Sequence, residues 1–200
     1  MIIRPATLSD AQPILAILTG IAAEGAFTAI SEPWPLNQQQ RYLAGLSRRE
    51  VVHVAEAEGA IVGYQSLDVW APTLASMAHV GQLGTFLMPE WRGRGVAAEL
   101  FKATLQFAQQ SACRKFVIQV RATNTRAQTF YRRLGFMQCG RFKAQVRIGN
   151  EEDDEILMDV FVEELRRAAA NKRFILRSTY HAIIWSLWPC STFSAVRRIV

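Results

Sequence analysis

Leu83-Gly84-Thr85-Phe86-Leu87-Met88-Pro89-Glu90-Trp91-Arg92-Gly93-Arg94-Gly95-Val96-Ala97 is the stretch on which the reading of this chain turns. A β-rich run stops at a proline, and a turn with two glycines then opens a run of helical pattern. Glycine lets a backbone approach a ligand with no Cβ in the way. The first-turn N–H groups of a helix are unpaired, point outward together and carry about half a positive charge. Such a terminus suits a pyrophosphate, and Arg92 and Arg94 add longer-range attraction. The stretch is not a Walker loop, because no Gly-Lys-Ser/Thr follows. Nor is it the dinucleotide fingerprint, since GxGxxG is incomplete and no suitable later strand carries the acid. Taken alone, the turn is equally consistent with a simple strand-to-helix connection.

Outward from this stretch the chain alternates strand and helix patterns. Ile2–Ala6 reads as a short strand. Thr7-Leu8-Ser9-Asp10 offers a capping box before Ile14, Leu15, Ile17, Leu18 and Ile21 at helical spacing. Residues 24–36 read as a loop, and about 37–46 as a short helix. Val51–Ala57 and Ala60–Trp70 are β-rich and meet at Glu58-Gly59, a hairpin signal. His79–Met88 is the next strand. A helix from about Arg94 to Gln109 turns Val96, Leu100, Leu105 and Ala108 inward. Lys115–Arg121 is an apolar strand. Asn124 is placed to cap a helix with Ala127, Phe130, Tyr131 and Leu134 on one face. Phe136–Val146 and Glu155–Val162 read as strands joined at Gly149-Asn150. The expected fold class is α/β (α+β): a mixed, mostly antiparallel sheet of about seven strands with helices on both faces.

Composition narrows the class further. Half of the 200 residues are hydrophobic and a fifth are charged, which is globular composition. The longest apolar run falls short of the ~18 residues of a membrane span, and the N-terminus lacks the order of a signal peptide. Cys113, Cys139 and Cys190 are odd in number and far apart, so neither a disulfide framework nor a metal knuckle is expected. His53, His79 and His181 are equally scattered, and no metal is expected. A reducing, cytoplasmic setting follows. The net charge of +6 is uneven: residues 166–200 hold seven basic side chains and no acid, leaving 16 basic and 17 acidic residues in 1–165. The body therefore has no nucleic-acid footprint. The expected organisation is a domain over 1–165 with a basic-apolar extension over 166–200.

Two motifs carry a resemblance. Arg92-x-x-Gly95-x-Ala97 is similar to the (Gln/Arg)-x-x-Gly-x-(Gly/Ala) signature of the GNAT N-acetyltransferase superfamily. Asn124-x-x-Ala127-x-x-x-Tyr131-x-x-x-Gly135-Phe136 resembles the family's later motif, and the element order fits over about 2–163. The phosphinothricin-type branch is the nearest pattern. The resemblance implies a split between strands 79–88 and 115–121 that takes acetyl-CoA as cosubstrate. The main chain of Thr85, Phe86 and Leu87 would pair with the pantetheine as an added strand. Amides of Arg94, Gly95, Val96 and Ala97 would hold the pyrophosphate, in a cofactor-binding stretch that includes Arg92 and Gly93. Asn124 would contact the pantetheine side and Tyr131 the sulfur. Among Arg92, Arg94, Arg126 and Arg132, the contact to the ribose phosphate stays open.

Acyl transfer to an amine needs a neutral nucleophile, a stabilised carbonyl oxygen and a protonated leaving group. An alkyl amine of pKa about 10.4 is about 0.04% neutral at pH 7, a cost of roughly 4.6 kcal/mol. A tyrosine of pKa about 10 stays protonated and can donate to a thiolate whose acid has pKa about 8.5. The resemblance thus implies Tyr131 as general acid, with the Leu87 N–H as oxyanion donor; Tyr131 as a core aromatic is the competing role. Gln82 stands where the branch often has a glutamate base. Substitutes are His79, Glu24 or Glu32 through water, or a water chain with backbone carbonyls.

The acceptor pocket is expected from loop 24–36, the 70–78 connection and the 144–154 hairpin, with Phe27, Trp34 and Trp70 as an apolar wall or as core. Glu151–Glu155 reads as a solvated hairpin edge, with an electrostatic lure as the second reading. Glu163–Lys172 can form a helix, and Ile175–Trp188 a basic-apolar one. That segment packs on the body or on a second subunit, has no selected role, or lies on a membrane, in that order. The reading as a whole is an N-acetyltransferase acting on a primary amine of a small molecule, peptide or protein by direct attack in a ternary complex. The alternative is a non-catalytic acyl-CoA-binding or regulatory module.

Overall fold

A computed structural model describes residues 1–170. It contains β1 (Ile2–Pro5), α1 (Ala11–Ala23), α2 (Leu36–Ala44), β2 (Val51–Ala57), β3 (Ala60–Val69), β4 (Val80–Leu87), α3 (Val96–Gln110), β5 (Lys115–Arg121), α4 (Thr125–Arg133), β6 (Met137–Ile148), β7 (Glu151–Phe161) and α5 (Val162–Ala170). The seven strands form one sheet in the order β1-β2-β3-β4-β5-β7-β6, antiparallel throughout except for the central β4–β5 pair.

Local chemistry accounts for most boundaries. Asp10 accepts the Thr7 N–H at 2.7 Å, so the expected box does mark the entry to the first helix. The β2–β3 hairpin turns on Glu58 and Gly59, both at positive φ, as a two-residue primed turn requires. Helix α4 ends in Gly135 at φ 98°. The Gly135 N–H returns to Arg132 O and the Phe136 N–H to Tyr131 O, each at 3.0 Å, a Schellman-type closure. β6 and β7 are longer than the sequence pattern indicates, because β7 starts at Glu151 within the acidic run.

The sheet has two covered faces. On one, α1 and α2 bury Ile14, Ile17 and Ile21 against Val52, Val54, Ile61 and Tyr64. On the other, α3, α4 and α5 lie over Leu67, Leu83, Phe116, Ile118, Ile156 and Met158, with Phe101, Tyr131, Leu134 and Phe136 filling between. Leu100 is fully buried, and full burial of such a side chain contributes roughly 1.5–3 kcal/mol. Val162 and Leu165 of α5 belong to this second core. The expected helix over Glu163–Lys172 appears as α5 to Ala170. The remainder of the basic-apolar extension lies outside the described residues.

Candidate active site

The central pair sets the site. β4 and β5 share only three register pairs, Val80 with Lys115, Gly81 with Phe116 and Gln82 with Val117. Beyond Gln82 they part, while β4 stays paired to β3 as far as Leu87. A cavity of about 310 Å³ lies in the gap, lined by β4 from Gln82 to Phe86, by β5 and by Asn124 and Tyr131.

Antiparallel pairing alternates, so only every second residue of β4 spends its main chain on β3. Trp70 N–H bonds Val80 O, and Met88 N–H bonds Val62 O. The residues bonded to β3 are therefore the even ones, from Val80 to Met88. The main-chain groups of Leu83, Thr85 and Leu87 face the gap, and Leu87 O indeed receives Arg92 Nε at 3.2 Å. Of the three residues expected to pair with an extended ligand, Thr85 and Leu87 offer main chain to the cleft. Phe86 has its main chain committed to β3 and contributes its side chain to the lining.

Past the end of β4 a short turn leads into α3. Gly95 is its N-cap at φ 85°, with no side chain bonded to the first turn. Only Ala98 and Glu99 N–H groups return to Gly95 O, so Val96 and Ala97 keep the unpaired amides of the terminus. A Cβ built on Gly95 would meet nothing within 4 Å, so the approach to these amides is open. Val96 is buried and anchors the turn, Arg94 lies over the Trp91 ring, and Arg126 stands beside Gly93. An unpaired strand edge leading to free helix amides fits a ligand with an amide-bearing arm and a pyrophosphate.

Tyr131 enters from α4. Asn124 caps this helix, accepting the Ala127 N–H at 3.0 Å, and its own amide donates to Phe27 O at 3.3 Å. The Tyr131 ring packs on Phe130 and Phe136, while its hydroxyl lies 2.8 Å from Thr85 Oγ1 and lines the cleft. Burial pushes this phenol up to about 12, against a smaller opposite pull from Thr85. Tyr131 thus combines a ring packed in the core with a hydroxyl that reaches the cleft.

The other side of the cleft carries a group that sequence patterning did not reveal. Gln82 Nε2 donates to Gln119 Oε1 at 3.1 Å, and Gln119 Nε2 donates to Glu155 Oε2 at 2.9 Å. Glu155 is buried, lines the cleft and has its carboxyl raised by burial. The solvated-edge reading of Glu151–Glu155 therefore needs correction. Glu151 and Glu152 are exposed where β7 begins at the hairpin end, and alternation further along the strand turns Asp153 and Glu155 inward. Asp153 takes Arg121 Nε at 2.9 Å and the Thr123 hydroxyl at 2.6 Å.

The remaining candidates fall elsewhere. Glu24 is bound by both guanidinium nitrogens of Arg92, which also lies 4.7 Å over the Phe27 ring, and this pairing lowers the Glu24 carboxyl. Arg121 donates to Gly25 O. Loop 24–36 is thus fastened over the cleft, and Arg92 acts in that fastening. His79 is exposed, and neither it nor Glu32 lines the cleft. A second cavity of about 400 Å³ adjoins the first along β4 and includes Trp34; Trp70, the 70–78 connection and the 144–154 hairpin turn line neither. No group of metal-ligating side chains occurs among the described residues.

The model of the Acetyltransferase (GNAT) family matches residues 22–136, more than half of the chain. The chain belongs to this family, whose fold is an acyltransferase fold and whose cosubstrate is acetyl-CoA. It is 34% identical over 88 residues to an uncharacterized N-acetyltransferase of Archaeoglobus fulgidus, covering 43% of this chain and 60% of that protein's length. It is 27% identical to the N-alpha-acetyltransferase RimI of Mycobacterium tuberculosis, covering 60% of this chain and 72% of the relative. Among solved structures, a ribosomal-protein-alanine N-acetyltransferase from Brucella melitensis superposes with a TM-score of 0.75 at 24% identity, over 80% of this chain and 99% of the other. A phosphinothricin acetyltransferase from Sinorhizobium meliloti in complex with acetyl-CoA gives 0.74 at 20% identity, over 80% and 87%.

Proposed function

We propose that this protein transfers acetyl from acetyl-CoA to a primary amine by direct attack in a ternary complex. The observation that carries the reading is the Tyr131 hydroxyl, held at Thr85 inside a cleft lined by the free edge of β4, the strand that leads into the N-terminus of α3. Acetyl-CoA supplies the activated acetyl group as a thioester. Thr85 and Leu87 main-chain groups bind its extended arm, and the amides of Val96 and Ala97 take its pyrophosphate, with Gly95 leaving that approach open and Arg94 and Arg126, the latter beside Gly93, adding positive charge. Leu87 N–H meets the carbonyl oxygen as it gains charge. Tyr131 delivers its proton at the sulfur, which is where a neutral phenol is needed. Gln82, oriented through Gln119 by Glu155, has its Oε1 free to accept a hydrogen bond from an N–H of the incoming amine, and the proton that the amine nitrogen loses on forming the amide leaves through water in the cleft.

Amines of small molecules, peptides and protein termini share the required chemistry. The relatives support this range: one is named for a ribosomal protein alanine and another for an aminoglycoside. The unit that does this work is the 1–165 domain. No described helix is long and apolar enough to cross a membrane, and we place the reaction in the cytoplasm on the unpaired Cys113 and Cys139. The test is thiol release from acetyl-CoA across an amine panel. Gln82, an amide where an acid is the expected base, favours a second reading as a non-catalytic acyl-CoA-binding module. That reading predicts CoA binding without turnover of any amine.

A further inference from the structure

We propose that the second cavity is the acceptor site, and that it takes a primary amine with an aromatic or compact apolar body whose ammonium seats on Asp68. The inference deepens the acetyl-transfer reading and rests on it, because the cavity opens onto the same β4 residues as the cleft. At about 400 Å³ it is of ordinary size for a small ligand.

Position comes from the sheet. Tyr64, Ser66 and Asp68 of β3 and Gln82, Gly84 and Phe86 of β4 share the face beneath α1 and α2, and all six line this cavity. Asp68 is the direct cross-strand partner of Gln82. Such partners have Cβ atoms about 5 Å apart, so an amine held by Asp68 is a neighbour of Gln82. Gln82 lines both cavities. Its amide orientation also follows from charge. A carboxylate only accepts, so Glu155 fixes Gln119 with Nε2 toward it, and Gln119 in turn takes Gln82 Nε2. Gln82 Oε1 is left as the acceptor at the junction.

Chemical class comes from the lining. It holds one carboxylate and no basic side chain. Tyr42 OH donates to Asp68 Oδ1 at 2.7 Å, which orients the carboxylate without neutralising it. Burial raises the Asp68 carboxyl, against smaller opposite pulls from the Tyr42 and Ser66 hydroxyls and with a lesser push from the negative charge of Glu50. A desolvated anion without a cation is costly, and an ammonium relieves that cost. Four aromatic side chains and the aliphatic Leu18, Ile30 and Leu83 make up most of the remaining wall. Trp34 and Tyr42 meet edge to face at 5.6 Å, and Tyr64 and Phe86 stack at 4.8 Å. Trp34 and Ile30 are exposed at 43% and 37%, which leaves large apolar surface open for a ligand body to cover. Aromatic faces also attract an ammonium. A polyamine or aminoglycoside would find a partner for one charge and apolar wall for the others.

The experiment uses the full chain with 2-phenylethylamine as probe, calorimetric binding in the presence of CoA, and thiol release from acetyl-CoA. Asp68→Asn is expected to weaken 2-phenylethylamine at least tenfold while the affinity for acetyl-CoA is unchanged. The uncharged 2-phenylethanol is expected to bind parent and variant alike. Tyr42→Phe removes the hydrogen bond to Asp68 but keeps the carboxylate, whereas Asp68→Asn removes the charge and keeps an acceptor for Tyr42, so the loss in Tyr42→Phe is expected to be at least fivefold smaller than that in Asp68→Asn. Equal losses in the two variants would reduce Asp68 to a packing partner of Tyr42 and overturn the proposal. So would unchanged binding in Asp68→Asn, or acetylation of spermidine or an alanyl peptide with none of 2-phenylethylamine. Asp68-dependent amine binding with no thiol release upholds the ammonium-binding pocket and rejects acetyl transfer instead.

Discussion

The Tyr131 hydroxyl and the Thr85 hydroxyl stand 2.8 Å apart, joining α4 to β4 across the cleft. Thr85 Oγ1 also receives Gln65 Nε2 at 2.7 Å. With that lone pair occupied, Thr85 can pass its own proton toward the Tyr131 oxygen, and the tyrosine proton is then directed at the cleft. A donated hydrogen bond stabilises the phenolate that forms when the proton leaves.

Tyr131→Phe should lower kcat by roughly 10²-fold, the range of a positioned acid–base group, with acetyl-CoA affinity nearly unchanged. The fall should appear in kcat and kcat/KM alike, and single-turnover kinetics are the fair measurement if product release limits. A phenol held at about 12 stays protonated through pH 10. An alkaline loss of activity with a midpoint below about pH 11 should therefore persist unshifted in the residual rate of the variant. Full turnover by folded Tyr131→Phe would leave the side chain a core role alone.

Gly95 tests the pyrophosphate assignment. Its surroundings are open but its φ is 85°, a conformation asparagine tolerates better than most residues. Gly95→Asn and Gly95→Asp place similar volume there, with and without charge. The aspartate should weaken CoA at least tenfold, about 1.4 kcal/mol, beyond the asparagine. Equal affinities by calorimetry would remove phosphate from this terminus.

Glu155 acts through two amides on the position of Gln82. Glu155→Gln keeps the shape but no longer dictates which way Gln119 and Gln82 point. We expect kcat with an amine to fall about tenfold, with acetyl-CoA binding intact. The carboxyl is raised by burial, so as pH falls its charge is lost at a higher pH than that of an ordinary glutamate. The acidic limb of kcat should move in the variant; a limb that stays in place would assign Glu155 to packing.

Arg4 and Asp10 make a stability prediction remote from the cleft. Asp10 is buried, holds Arg4 through two bonds of 2.7 and 2.9 Å and is lowered to about 2, chiefly by that bonding. A lowered carboxyl gives stability that is present above its unfolded value and lost as pH falls through the folded one. The loss should run from about pH 4 to about pH 2. Allowing for solvent on the Arg4 side, Asp10→Asn should cost about 1–2 kcal/mol at pH 7 in urea unfolding. It should also flatten the stability profile over that acid range.

Ending the chain after Ala170 should leave CoA affinity unchanged, because Val162 and Leu165 already join the core and, among the described residues, none beyond Glu155 lines the cleft. Loss of CoA binding by a folded, shortened protein would extend the site into the basic-apolar segment.

Elements whose cause is local were readable in advance. The Thr7–Asp10 box, the Asn124 cap and strand Lys115–Arg121 each depend on neighbours within a few residues. The glycine turn and Tyr131 were readable because the resemblance rests on short motifs. The Gln82–Gln119–Glu155 chain was not, since its bonds join residues 37 and 36 positions apart through sheet register. Strand alternation is visible only as contrast between apolar and polar positions, and five consecutive acids have none. Arg92 reads as a phosphate-seeking cation until the fold brings Glu24 to it from 68 positions away.

The brevity of the β4–β5 pairing has a thermodynamic consequence. Three register pairs join the two halves of the sheet, and the next main-chain groups of β4 have no strand opposite them. A ligand that lies along that edge joins both halves and binds only the folded chain. By linkage, a ligand at 100 times its dissociation constant adds about 2.7 kcal/mol to unfolding. The midpoint of thermal unfolding should thus climb with the logarithm of free CoA concentration, so that a melting curve doubles as a binding isotherm for the cleft.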